Sequence, residues 1–293
     1  MQSSRRTQLV AATTVAALCV GTLVSACGGG GNGSSAPAKV SQDRFDPDNF
    51  GDRVTATNKY IPLKPGTQTV REGRVNIGHR RLAHRVVTTV TDVFKEVDGV
   101  RTVSVLDQDF NGGEIAEQSL DFLAEDKQGN VWYHGSYTEA YEGGQFVNAA
   151  DGWLTGLKGA RPGILMKADP RTGTPAYSPA RPPGGEADAA QVVKTGQREC
   201  VPFKCYKGVL VIQEGSESQP DEEYKYYAPG VGQIMAEPRG EGGKQEIEKL
   251  INLTQLSPRA LSEISAEALK LDRHARVEVA DVFGRTPAAK RTP

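Results

Sequence analysis

Val86-Val87-Thr88-Thr89-Val90-Thr91-Asp92-Val93-Phe94 is a run of β-branched and aromatic residues with a single charge, and it reads as a strand. The Asp-Gly pair in Val97-Asp98-Gly99-Val100 follows it as a hairpin turn. Residues 100–110 then return, with Val103 and Val105 on one face and Leu106 on the other. Working outward, Asn111-Gly112-Gly113 turns again, and 115–125 follows with Leu120, Phe122 and Ala124 alternating. After a polar turn over 126–130, Val131-Trp132-Tyr133-His134-Gly135-Ser136-Tyr137 is the next strand, and Glu142-Gly143-Gly144 the next turn. Strands at this spacing predict antiparallel hairpins.

The pattern loosens in the middle. Trp153–Leu157 and Ile164-Leu165-Met166 are short apolar runs, and 170–190, rich in Pro, Gly and Ala, reads as a long loop. Strands resume at 191–193, 206–213, 222–227, 231–235 and 246–253. The period then changes: Ser257-Pro258 places an N-cap before a proline at the first helical position, and Leu261, Ile264, Ala268 and Leu271 share one helical face. The expected fold is therefore mainly β, an antiparallel meander forming a sandwich or a partly open barrel, with one C-terminal helix.

The chain begins with Arg5-Arg6, an uncharged and mostly apolar run over 9–24, and small residues before Cys27, which is the order of an export signal. The run is shorter than the ~20 residues a membrane-spanning helix needs. Val24-Ser25-Ala26-Cys27 resembles the lipobox of bacterial lipoproteins. The resemblance implies a diacylglycerol on the Cys27 thiol, cleavage of 1–26, and an extracytoplasmic domain on the cell membrane, or on the outer membrane if the cell has one. Residues 27–45, with their Gly/Ser stretch, read as a flexible tether. The expected divisions are then a β-rich domain over 46–256, a C-terminal helix and extension over 257–284, and a disordered tail over 285–293, where Pro, small and basic residues offer nothing apolar to bury.

The net charge is −1, and −3 without residues 1–26, which carry two Arg and no acid. Such a balance argues against a nucleic-acid partner, which calls for a basic face. Beyond Cys19 and Cys27, only Cys200 and Cys205 remain. They flank a Pro-containing connection before an apolar strand, as a disulfide across a hairpin would. A zinc site needs a second pair of ligands, and a redox pair is usually two residues apart.

Four stretches together are similar to a family of uncharacterised bacterial secreted and lipid-anchored proteins: Tyr60-Ile61-Pro62-Leu63-Lys64-Pro65-Gly66-Thr67, Asn130-Val131-Trp132-Tyr133, Pro162-Gly163-Ile164-Leu165-Met166, and Tyr226-Tyr227-Ala228-Pro229-Gly230-Val231-Gly232. They span about 58–253. The resemblance implies an antiparallel β domain, brings no activity, and makes the Cys200–Cys205 pair a local addition. Read from the residues alone, Ala228-Pro229-Gly230 is a turn, and Tyr226 and Tyr227 point to opposite faces, one in the core and one at a rim.

No residue set demands a chemistry. Gly135-Ser136 and Gly215-Ser216 lack the frame of a serine-hydrolase elbow, and neither H-E-x-x-H nor a phosphate-cradling loop is present. Asp46-Pro47-Asp48-Asn49-Phe50-Gly51-Asp52 fails as a calcium loop, because Phe50 and Thr57 stand where ligands are needed, and reads as a turn cluster. His79 and His84 flank Arg80 and Arg81 and are expected to be exposed. His134 shares a strand face with Trp132 and Ser136; such a residue is usually partly buried with one hydrogen bond. Asp121, Glu125 and Asp126 read as a solvated face. No catalytic residue, metal or cofactor is assigned. Trp132, His134 and Tyr227 are the candidate pocket residues. The expected role is non-enzymatic binding of a small apolar ligand, a glycan or an envelope protein. The alternatives are a hydrolase of envelope material, using scattered acids or His134, and a structural spacer.

Overall fold

The computed structural model describes residues 40–53, 55–149, 152–185, 187–216, 223–239 and 246–292. The signal segment, Cys27 and most of the tether lie outside them. The described strands are β1 (Thr67–Ile77), β2 (Arg80–Val97), β3 (Val100–Asn111), β4 (Glu114–Glu125), β5 (Val131–Glu142), β6 (Gln145–Asn148), β7 (Trp153–Leu154) and β8 (Arg161–Met166). They continue as β9 (Ala180–Arg181), β10 (Asp188–Cys200), β11 (Cys205–Ser216), β12 (Glu223–Ala228), β13 (Gly232–Pro238), β14 (Glu246–Gln255) and β15 (Lys290–Arg291), with helix α1 at Pro258–Glu278. The hairpins form where the turn chemistry favours them. Asp98 and Gly99 take φ of 47° and 79°, the left-handed pair that matches strand twist, and Val97 pairs with Val100 across them.

The fold class is the expected one: one antiparallel sheet, nearly closed into a barrel, with a C-terminal helix. Its strand order is β10-β11-β12-β13-β14-β1-β2-β3-β4-β5-β8-β9. Val105 on β3 and Ile212 on β11 are far apart along that order yet share one core cluster, so the sheet curls on itself. The chain at 176–181 brings its ends together. Arg161 and Pro162 of β8 pair with Arg181 and Ala180, while Tyr177 pairs with Ala190 of β10.

Strands β2 to β5 are covered on both faces. Val90, Val105, Leu123 and Val131 face the barrel interior, while Val93, Leu106, Leu120 and Phe122 pack against Ala268, Leu271 and Ala275 of α1. The switch within β2 is a register shift between Val90 and Phe94, where Thr91 Oγ1 donates to the Ser104 carbonyl at 2.6 Å. The helix starts where its sequence says: Ser257 Oγ accepts from Ala260 N at 3.3 Å, with Pro258 at the first helical position.

Several expectations are corrected. The stretch expected as a disordered tail, 285–293, is not loose over its described residues, 285–292. Ala289 is buried, Lys290 and Arg291 pair with Phe94 and Val93, and Arg291 grips Asp92 through Nε (3.1 Å) and Nη2 (2.6 Å). Besides the burial of Ala289, backbone groups of this segment satisfy buried charges. Lys95 Nζ donates to Pro287 O, and Ala289 N donates to Asp272 Oδ2. The segment where the expected tether ends is also docked: Ser41 N donates to Ala176 O at 2.8 Å and Ser178 N to Ser41 O at 3.1 Å. The expected loop at 170–190 holds β9 and the start of β10, with Tyr177, Ala180 and Ala190 buried. β1 is a strand that the hydrophobic alternation does not announce, because its inward positions include the polar Thr69 and Arg71.

Candidate functional site

Inside the curled sheet lies a cavity of about 300 Å3. The four stretches that carry the family resemblance meet there. Ile61, Pro62 and Leu63 come from the first, Tyr133 from the second, Leu165 from the third, and Tyr227, Val231 and Gly232 from the last. Asn58 pins the first of them as a cover. Its Oδ1 accepts from Tyr60 N (2.8 Å) and Ile61 N (3.1 Å), and its Nδ2 donates to the carbonyls of Gly129 and Lys167.

One part of the lining is aliphatic, formed by Leu63, Val90, Val105, Leu123 and Leu165. Ile61, Pro62 and Val231 add to the apolar lining, while Arg71, Thr88, Asp107, Asp121, Lys225 and Gln233 bring polar and charged groups, and the two cations among them are already engaged. Arg71 Nε lies 2.8 Å from Glu248 Oε1, which also accepts from Gln233 Nε2 at 2.7 Å. Lys225 Nζ lies 2.8 Å from Glu214 Oε2 and 3.1 Å from Glu223 Oε1. Burial opposes both positive charges, but the neighbouring carboxylates win: Arg71 is held above its ordinary pKa and Lys225 well above.

Two acids lack such a cation in contact among the described residues. Asp107 on β3 accepts from Thr88 Oγ1 at 2.8 Å, and Asp121 on β4 accepts from Tyr133 Oη (2.6 Å) and Ser136 Oγ (2.8 Å), all through Oδ1. Because Val105 pairs with Asp121 and Asp107 with Ser119, the two acids are diagonal neighbours on one face. Burial pushes Asp107 up to about 6, against the pull of Arg71 and with the added repulsion of Asp121. Burial also raises Asp121, opposed by its bonds from Tyr133 and Ser136 and by the charge of Lys225.

The residues that the sequence offers as pocket candidates scatter. Of the three, only Tyr227 lines this cavity, its Oη 3.2 Å from Glu214 Oε1. Both tyrosines of the pair are buried, Tyr227 inside and Tyr226 in a separate cluster with Val209 and Val211, so neither is a rim residue. Trp132 and His134 stack with Phe45 and Phe50 instead, and Trp132 Nε1 donates to Asp126 Oδ2. His134 is fully buried, neither ring nitrogen has a hydrogen-bond partner among the described residues, and burial lowers its pKa to about 3. It is a neutral packing residue, without the one hydrogen bond expected of it.

The other polar expectations change too. His84 is buried, with Nδ1 2.9 Å from Asn111 Oδ1, whereas His79 is exposed. Asp126 is not solvated: besides Trp132 it accepts from the backbone of Gln128 and Asn130. Asp46 caps a short turn of helix at Pro47–Asn49. Cys200 and Cys205 are disulfide-bonded across the ends of β10 and β11. Cys27 lies outside the described residues.

Arg71, Asp107 and Lys225 escape a reading of the sequence because an isolated charge in a strand resembles a solvated face. The available signal is in β3, where Val103, Val105 and Asp107 fall at the same alternation, placing the acid on the apolar side.

No family model matches the chain, and no curated protein matches it. Among solved structures, it is similar to a protein from Bacteroides fragilis assigned as exported and as having a YmcC-like fold. The identity is 11%, covering 67% of this chain and 99% of that one, with a TM-score of 0.31.

Proposed function

We propose that this protein is exported, held to a membrane by a lipid on Cys27, and binds a small amphipathic molecule inside its barrel without transforming it. The export signal and lipobox support the location. The binding reading rests on one observation: a cavity with an aliphatic wall on which several polar groups converge. A wholly apolar ligand suits it poorly, since it would strip water from Asp107 and Asp121 and return no hydrogen bond. A volume of about 300 Å3 is at the lower end for ligand pockets, which favours a small molecule or a single sugar residue over a polymer. Native mass spectrometry of the exported protein, purified gently, tests this reading. Excess mass that disappears on denaturation supports it, and a bare mass favours the structural-spacer alternative.

A hydrolase is the second reading, and the split environment of the Asp107–Asp121 pair is what favours it. A carboxyl pushed to about 6 beside a second carboxyl is how acid and base roles are separated. Asp121→Asn that abolishes turnover of envelope glycans, with stability retained, would establish it; His134 has no part in it.

A further inference from the structure

We infer that the ligand presents a cationic amino group to Asp107 and Asp121, with an apolar body along Leu63, Val90, Val105 and Leu123. This rests on the reading of the cavity as a binding site and names the chemistry it selects.

The interior has more acid than base. Arg71 and Lys225 are its cations, and both are committed, to Glu248 and to Glu214 with Glu223. That leaves Asp107 and Asp121, among the described residues, with no cation in contact and with only the Oδ1 of each bonded. Both are partly exposed and line the cavity. Glu248, 6% exposed at its side chain, holds a further oxygen, Oε2, with no hydrogen-bond partner among the described residues, and is flanked by the cavity-lining Arg71 and Gln233. All these free positions are acceptors. An ammonium group supplies up to three donors and a positive charge, answering both the missing hydrogen bonds and the surplus of negative charge. An anionic ligand would meet repulsion from both aspartates. An alcohol would supply a single donor and no charge.

The raised Asp107 adds a pH dependence. The charged groups facing it are Arg71 from β1, Asp121 from β4 and Glu248 from β14, with the Thr88 hydroxyl donating from β2. Below about pH 6 it takes up a proton and loses its attraction for a cation.

The test is calorimetric titration of the full-length protein with n-hexylamine, n-hexanol and hexanoate as probes at pH 7.5. Hexylamine is expected to bind about tenfold or more tighter than hexanol, the scale of one charge-assisted hydrogen bond, and hexanoate not at all. Asp107→Asn and Asp121→Asn should each remove that advantage, and a cooperative urea-unfolding transition shows that each variant is folded. If they fail to fold, the wild-type protein decides: its hexylamine affinity, but not its hexanol affinity, should fall about tenfold between pH 7.5 and pH 5. Hexanol or hexanoate binding as tightly as hexylamine overturns the cation inference and leaves the binding cavity standing. Failure of all three probes, together with a bare native mass, overturns both.

Discussion

Lys95 Nζ lies 2.8 Å from Asp272 Oδ1, with the two side chains 0% and 2% exposed, and this pair joins β2 to α1 across 177 residues of sequence. Lys95 Nζ also donates to Pro287 O, and Asp272 Oδ2 accepts from Ala289 N. Helix, sheet and C-terminal segment are thus held by one buried polar knot. Removing one partner strands a charge out of water. Asp272→Ala is expected to lose about 3–5 kcal/mol of stability in urea unfolding, whereas the double variant Lys95→Met with Asp272→Leu should lie near the wild type. Equal losses in both would show that the pair itself stabilises the fold.

Asp107 makes stability fall with rising pH through a defined window. Its carboxyl titrates at about 6 in the folded chain, against 3.8 ordinarily, because burial disfavours its charge. Between those values the folded state holds a proton that the unfolded state has released, so each unit of rising pH weakens folding until both forms are ionised. Asp107→Asn should lack this contribution. The stability difference between wild type and variant is expected to shift by about 2–3 kcal/mol between pH 4 and pH 7, read from denaturant midpoints. A constant difference would place the Asp107 carboxyl in water.

Gly73 pairs with Glu248 in the antiparallel ladder of β1 and β14, and a Cβ there would sit 1.6 Å from the Ile247 carbonyl oxygen. Backbone cannot give way as a side-chain tip does. Gly73→Ala is expected to cost about 3 kcal/mol or more and to speed amide exchange along β14. Gly78→Ala, with nothing within 4 Å of its Cβ, serves as the control for open space, its own φ of 57° carrying a milder backbone cost.

The Cys200–Cys205 disulfide closes a loop with a sequence separation of 5, so it restricts the unfolded chain only modestly. Cys200→Ser with Cys205→Ser should lower stability by about 2 kcal/mol and leave probe binding unchanged, since neither residue lines the cavity. Altered hexanol affinity in this variant would couple the hairpin to the site.

The strands from Val86 to Tyr137 are legible because each hairpin carries its own instructions: β-branched runs, then turn residues suited to positive φ. The helix is legible from Ser257-Pro258 and its apolar face. The order at Lys290-Arg291 is not, because it rests on pairing with the far end of β2 and on a carbonyl that serves a distant lysine. His84 and His134 are misread for a related reason. Exposure in a curled sheet depends on what later packs over each face. His134 is covered by Phe50 and by Phe45, and Phe45 belongs to a segment that reads as tether.

The sequence alone therefore determined the antiparallel β class, the hairpin succession, the C-terminal helix and the cysteine pair, all of which rest on contacts between residues close in the chain. Tertiary structure alone decided that the sheet curls, that Arg71, Asp107, Asp121 and Lys225 face one interior, and that Trp132 and His134 do not. Those outcomes depend on which strands meet after long detours of the chain. A charged residue bears the same letter whether it faces water or a partner more than a hundred residues away.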